Sequence, residues 1–239
     1  MGEIENRLKS LRLPGMAECW SSWEETRSLD GLSLRDGLQL LLQAEEDNRK
    51  RNRDARLIKG AHFRYHSFLE ELNYDSTRGL SKVEVMNLAS GEYIRRGISV
   101  LITGPAGTGK SYLASALGHH ACLTGFKVRY YGMQKLFEEI TLCRMEATLH
   151  KFFDKMAQVD LLILDDWGLK KFDCQQVLDF MELIEDRHGR KSTILISQLP
   201  VSEFYTILEA NTTAADAICD RIVHSSIRFS LSGESLRKK

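Results

Sequence analysis

The chain has 239 residues, of which 43% are hydrophobic, and its 33 Lys and Arg balance its 33 Asp and Glu. That is enough apolar material for one large domain or two small ones with a sizeable core. The balanced charge excludes a uniformly basic or acidic binder, so a nucleic-acid or membrane partner has to be read from local clusters. The scattered cysteines (Cys19, Cys122, Cys143, Cys174, Cys219) form no Cys-x-x-Cys pair and have no matched His spacing, which reads as thiols of a reducing compartment. The segment from Gly2 to Asn6 lacks a basic stretch followed by an apolar one, and no apolar run approaches membrane-spanning length. A cytoplasmic protein without a membrane partner is expected.

Up to about residue 95 the periodicity is helical throughout. Leu8, Leu11, Leu13, Met16, Trp20 and Trp23 give short apolar helical faces interrupted at Pro14-Gly15, and Leu32 to Ala44 reads as a helix beginning after Ser33. A longer helix is expected from Leu38 to Gly60. Between Arg49 and Arg64 stand seven Lys or Arg residues against one acid, Asp54. Arg49, Arg53 and Arg56 fall at i, i+4 and i+7, so they share a helix face that can follow the phosphates of duplex DNA. A solvated surface balanced by Glu45, Glu46 and Asp47 is the alternative. Phe63, Tyr65 and Phe68 have the spacing of core aromatics, although they could also stack on bases.

Strand-like runs begin only at Ile98, which divides the chain into a helical domain for DNA or partner binding (1–95) and a second domain (96–239). The apolar run from Ile98 to Thr103 leads into Gly104-Pro105-Ala106-Gly107-Thr108-Gly109-Lys110-Ser111, followed by a helical pattern at Tyr112, Leu113, Ala116 and Leu117. This is the spacing and context of a P-loop, whose backbone N–H groups wrap phosphates at a helix N-terminus. Lys110 would reach the β- and γ-phosphates, and the Ser111 hydroxyl would ligate Mg²⁺. His119 and His120, on the following helix, lack acidic or Cys companions and read as packing or surface residues.

A second acidic element follows in Leu161-Leu162-Ile163-Leu164-Asp165-Asp166. Four apolar residues read as a strand covered on both faces, and carboxylates at its exit call for a cation. Asp165 is the expected Mg²⁺ partner and Asp166 the group that polarises the attacking water. As consecutive strand residues they should point in different directions. Strands are expected near 98–103, 127–131, 160–165, 192–197 and 226–231, and helices near 109–124, 133–157 and 174–190, with two shorter pieces between Val201 and His224. Gly125 and Gly189 stand where helix C-terminal caps belong. The fourth strand ends in polar residues, which brings Ser197 or Gln198 beside the γ-phosphate if it neighbours the P-loop strand.

Together these residues resemble the IstB-like transposition helper ATPases of insertion sequences, relatives of the DnaC helicase loader in the AAA+ superfamily. The resemblance is carried by LRLPGM at 11–16, GEYIRRG before the first strand, GPAGTGKS, LLILDDWG at 161–168, ISQLPVSEF at 196–204, DRIVH at 220–224 and GESLRK at 233–238. It implies an α/β AAA+ core with a five-stranded parallel sheet of order 5-1-4-3-2, a helical N-terminal domain and no C-terminal lid. It places Gln198 as the polar sensor of the fourth strand, where Asn is usual, Arg221 as an arginine finger and Arg237 as a second sensor. The implied activity is ATP hydrolysis with Mg²⁺ by a homo-oligomer that assembles on target DNA and recruits or stimulates the transposase of the same element. A DnaC-like helicase loader is the nearest alternative. A small-molecule P-loop kinase is disfavoured, because no Arg-rich lid follows the P-loop and a basic helical domain would have no use in it.

Overall fold

The computed structural model describes residues 2–26, 31–224 and 226–236. They form two compact units, Met1–Arg56 and Leu57–Lys239. In the first unit, α1 (Glu3–Ser10) and α2 (Pro14–Thr26) precede α3 (Leu34–Ala61). Pro14 and Gly15 do not merely interrupt a helix; they begin one. Pro14 takes the first helical position, where a missing N–H costs nothing. The buried Glu45 carboxylate on α3 accepts the backbone N–H groups of Gly15, at 2.8 Å, and Met16, at 3.3 Å, and also holds the Arg49 guanidinium at 2.8 Å. An anion at a helix start offsets the unpaired N–H groups there. Glycine is required at 15 because a Cβ would lie 2.5 Å from the Ala44 carbonyl oxygen, where the two helices cross closely. Desolvation raises the pKa of Glu45, but the Arg49 side chain and the two N–H donors outweigh it and hold the carboxyl below its ordinary value.

The second unit is built on a parallel sheet of five strands in the order β2-β3-β4-β1-β5. These are β1 (Val100–Thr103), β2 (Val128–Gly132), β3 (Leu161–Trp167), β4 (Ser192–Ser197) and β5 (Ile227–Ser230). This is the expected order, and the P-loop strand does neighbour the fourth strand, with Thr103 opposite Ser197. Strand alternation divides the apolar residues between two cores. Leu101, Leu162, Leu164 and Leu195 face one side, covered by α7 (Met133–Met145), α8 (Leu149–Ala157), α9 (Cys174–Arg187) and α11 (Thr212–Cys219). Val100, Ile102, Leu161, Ile163, Ile194 and Ile196 face the other, covered by α4 (Lys82–Ala89), α5 (Glu92–Arg95) and α6 (Lys110–Leu123). A short α10 (Phe204–Ile207) precedes α11.

Three expectations change. Packing divides the chain after Arg56 rather than near residue 95, since Ala61, Leu69, Val85, Leu88, Tyr93 and Ile94 share a core with Val100 and Ile102. Helical periodicity tells which face a segment buries, not against what. The two overlapping N-terminal helices are one, α3, started by Ser33, whose Oγ accepts the Asp36 N–H at 3.2 Å. The long helix expected over 133–157 breaks at Ala147, which takes φ +54° while Thr148 N–H donates to the Cys143 carbonyl at 2.8 Å and Ala147 N–H to that of Arg144 at 3.2 Å. That is a Schellman ending made without glycine, so its usual signal is missing. Gly125, at φ +94°, closes α6 by the same two bonds, as its position led us to expect. Among the described residues no helix is long and apolar enough to cross a membrane.

Candidate functional site

The carboxyl ends of β1, β3 and β4 open into a cleft of about 370 Å³ lined by Ala106 to Ser111, Asp165, Asp166, Ser197 and Gln198. The loop after β1 makes this geometry possible because Gly104, Gly107 and Gly109 adopt φ of +143°, +83° and +94°. Gly107 has a second reason: a Cβ there would fall 2.1 Å from the Ser235 Oγ. Thr108 Oγ1 donates to the Pro105 carbonyl at 2.9 Å, and the buried Lys110 ammonium donates to the carbonyls of Gly104 and Pro105, each at 2.7 Å. Lys110 is thereby folded against its own loop. Helix α6 starts with no side-chain cap and no acid in its first turn, which leaves its N-terminal field open to an anion.

Asp165 is 2% exposed. Its Oδ1 accepts the Asp166 N–H at 2.8 Å, and its Oδ2 accepts the Tyr130 hydroxyl from β2. Asp166 takes φ +63°, within an irregularity of the β3–β4 pairing between Leu164 and Trp167. That turn corrects the expectation that the two carboxylates point apart. Both Oδ2 atoms approach the same Arg64 Nη1, at 3.1 Å from Asp166 and 3.5 Å from Asp165. Desolvation lowers the Arg64 pKa, but Tyr65, Asp166 and Asp165 together hold it above its ordinary value. Burial, and then Asp165, push the Tyr130 phenol up, so it stays a donor.

Sequence reasoning missed Arg64, Tyr130 and the C-terminal strap. Arg64 lay hidden in the basic count that pointed to DNA. The strap runs back over the loop: Leu236 N–H donates to the Gly107 carbonyl at 2.9 Å, and Arg78 Nη2 donates to the Glu234 carbonyl at 2.8 Å. Of GESLRK, Gly233 to Leu236 are described, and Arg237 lies outside the described residues. Gln198 and Ser197 both line the cleft, and the Ser197 Oγ donates to the Trp167 carbonyl at 3.1 Å. Arg221 does not join its own chain's cleft. It pairs with Glu185 at 2.5 Å and stands with Ser99 and Thr193 at the starting ends of β1 and β4. Arg49, Arg53 and Arg56 are exposed on the first unit; Arg49 is paired with Glu45 and Arg53 with Asp54 at 3.2 Å. Phe63 packs into the core, Tyr65 lines the cleft, and Phe68 sets its ring edge-on to His119 at 4.7 Å.

The donor set fits a nucleoside triphosphate with a divalent cation: an ammonium and an uncapped helix start for phosphates, a hydroxyl and two carboxylates for the metal.

Comparison with known proteins gives the same direction. Residues 6–239 match the family model described as IstB-like ATP binding protein. The insertion sequence ATP-binding protein y4pL of Sinorhizobium fredii is 40% identical over 233 residues, covering 98% of this chain and 95% of that protein. Among solved structures, that of DnaI has a TM-score of 0.59 at 17% identity, covering 71% of this chain and 90% of that one. AMPPCP-bound DnaA from Aquifex aeolicus also reaches 0.59, at 21% identity, covering 71% and 51% respectively. At these identities the structures speak for the fold alone, a five-stranded parallel sheet with helices on both faces.

Proposed function

The chain belongs to the IstB-like ATP-binding protein family, and on that premise we propose that it is an ATP-hydrolysing helper of DNA transposition. In this reading it binds Mg²⁺ and ATP in the cleft, assembles with further copies on duplex DNA, and recruits or stimulates the transposase of its insertion sequence. The observation that carries the enzymatic part is the meeting of Lys110, Ser111, Asp165, Asp166 and Gln198 at one cleft.

Lys110 would leave the Gly104 and Pro105 carbonyls for the phosphates. Ser111 and Asp165 would hold the metal, which when bound supplies charge neutralisation for phosphoryl transfer. Asp166 would orient and polarise water, and the Gln198 amide would hold that water or the terminal phosphate. Arg221, bound to Glu185 at the far ends of the strands, would serve a neighbouring subunit's nucleotide rather than its own. The exposed arginines of α3 would follow DNA phosphates, so replacing Arg49, Arg53 and Arg56 with Gln should flatten the log–log salt dependence of DNA affinity by about 0.9 for each phosphate no longer neutralised. An unaltered slope in a folded variant would remove them from the DNA surface.

The decisive test is labelled-ATP affinity of Lys110→Ala. Binding should be abolished with the fold intact; binding equal to the unaltered protein would overturn the assignment of the cleft.

A further inference from the structure

The acidic pair already carries a cation, and it comes from a distant part of the chain. Arg64 reaches Asp165 and Asp166 through a single nitrogen, at 3.5 and 3.1 Å. It does not form the two-nitrogen fork of a lasting Arg–carboxylate pair. Its side chain is 46% exposed, so the guanidinium approaches from the open cleft, while Tyr130 approaches Asp165 from the neighbouring strand. Asp165 Oδ1 is taken by the Asp166 N–H. Arg64, Asp165 and Asp166 all line the same cleft, so the guanidinium meets the pair where a ligand would enter.

We propose that Arg64 is a tethered counter-cation which competes with the divalent metal for Asp165 and Asp166, so that metal arrival with the nucleotide releases it. The proposal rests on the nucleotide reading above. Two cations cannot share one carboxylate pair at these distances without strong repulsion, and a divalent ion held also by Ser111 and phosphates outcompetes a half-exposed guanidinium. Release can be local. Phe63 is packed into the core, and Ser67 Oγ donates to the Tyr112 carbonyl at 3.1 Å, so the chain is fixed on both sides of Arg64. Between those points Arg64 lies over the Tyr65 ring, 5.6 Å from its centre. With the metal absent, Arg64 has a second effect: it offsets the repulsion between the acids and an incoming triphosphate.

These two effects predict shifts of opposite sense in Arg64→Gln. Without metal, affinity for AMPPCP should fall, because the acids are left bare. The Mg²⁺ concentration that gives half of the metal-dependent rise in affinity should also fall, by roughly three- to fivefold, because the competitor is gone. In an Asp165→Asn background the second shift should vanish. A half-point that stays or rises, with metal dependence intact, overturns the competition; a lower affinity with an unchanged half-point would make Arg64 a plain phosphate ligand instead. If the unaltered protein shows no nucleotide binding, the cleft assignment itself fails, a separate outcome.

Discussion

At the carboxyl ends of the strands Arg64 is half exposed and meets two carboxylates, whereas at the starting ends Arg187 is 1% exposed and meets none in its hydrogen bonds. Arg187 donates to the carbonyls of Met156, Val159 and Ser192 at 2.7, 2.9 and 2.5 Å and to the Thr193 hydroxyl at 3.1 Å. Burial pushes its pKa down to about 9, so it remains charged at neutral pH. Three buried backbone carbonyls accept from it, that of Met156 also accepting the Val159 N–H at 3.2 Å, so an apolar side chain in its place removes several buried hydrogen bonds at once. A cation on carboxylates is exchangeable; a cation on buried carbonyls is structural. The same kind of side chain therefore seals one end of the sheet and attends the chemistry at the other.

If the two ends divide the work in this way, substitutions at each should move one property and spare the other. Asp166→Asn should slow ATP turnover by roughly a hundredfold or more while nucleotide affinity is kept. Asn tolerates the left-handed backbone at φ +63° about as well as Asp, so the fold should hold. Phosphate release at saturating Mg²⁺ and ATP measures it, and turnover equal to the unaltered protein would place the water-polarising group elsewhere. Arg187→Leu should do the reverse, costing about 3 kcal/mol or more in urea unfolding because the Met156, Val159 and Ser192 carbonyls each lose a donor. Arg64→Gln should cost under about 1 kcal/mol on the same measure. Equal losses from the two arginine variants would erase the distinction between them.

Much of this was legible in the residues, and the exceptions have identifiable causes. All five strands were legible to within two residues: β1, β3 and β4 are buried on both faces and rich in apolar residues, while the edge strands β2 and β5 interrupt theirs with Arg129 and Arg228. The P-loop and the acidic pair were legible because each lies within one short segment. Arg64 was not, since it lies 101 positions before Asp165 and only packing joins them. The left-handed turn at Asp166 was hidden because Asp carries no signal for it, unlike the glycines of the P-loop. Ala147 hid the break between α7 and α8 for the same reason. The DNA stripe was read from charge and helical spacing, which left open whether acids balance it; the structure pairs Arg49 with Glu45 and Arg53 with Asp54.

Arg221 is where the division between the two ends is most exposed to test. It sits at the starting ends of the strands, bound to Glu185 and to the Ala217 carbonyl at 3.0 Å, in the neighbourhood where Arg187 is purely structural. Yet phosphoryl transfer gains about 10³ to 10⁵ in rate from an arginine supplied by a neighbour. Arg221→Ala alone cannot separate the two roles, since losing either the ion pair or the finger would lower activity. Mixing does. Combine Lys110→Ala protein, which lacks a working nucleotide site, with Arg221→Ala protein, which lacks the finger. In an equal, random assembly roughly a quarter of head-to-tail interfaces join an intact Lys110 to an intact Arg221. Turnover should then recover toward that fraction of the unaltered value, the smallest of the effects expected here but one that neither variant shows by itself. No recovery in mixtures that demonstrably co-assemble would return Arg221 to the structural end of the sheet, holding Glu185 and the Ala217 carbonyl.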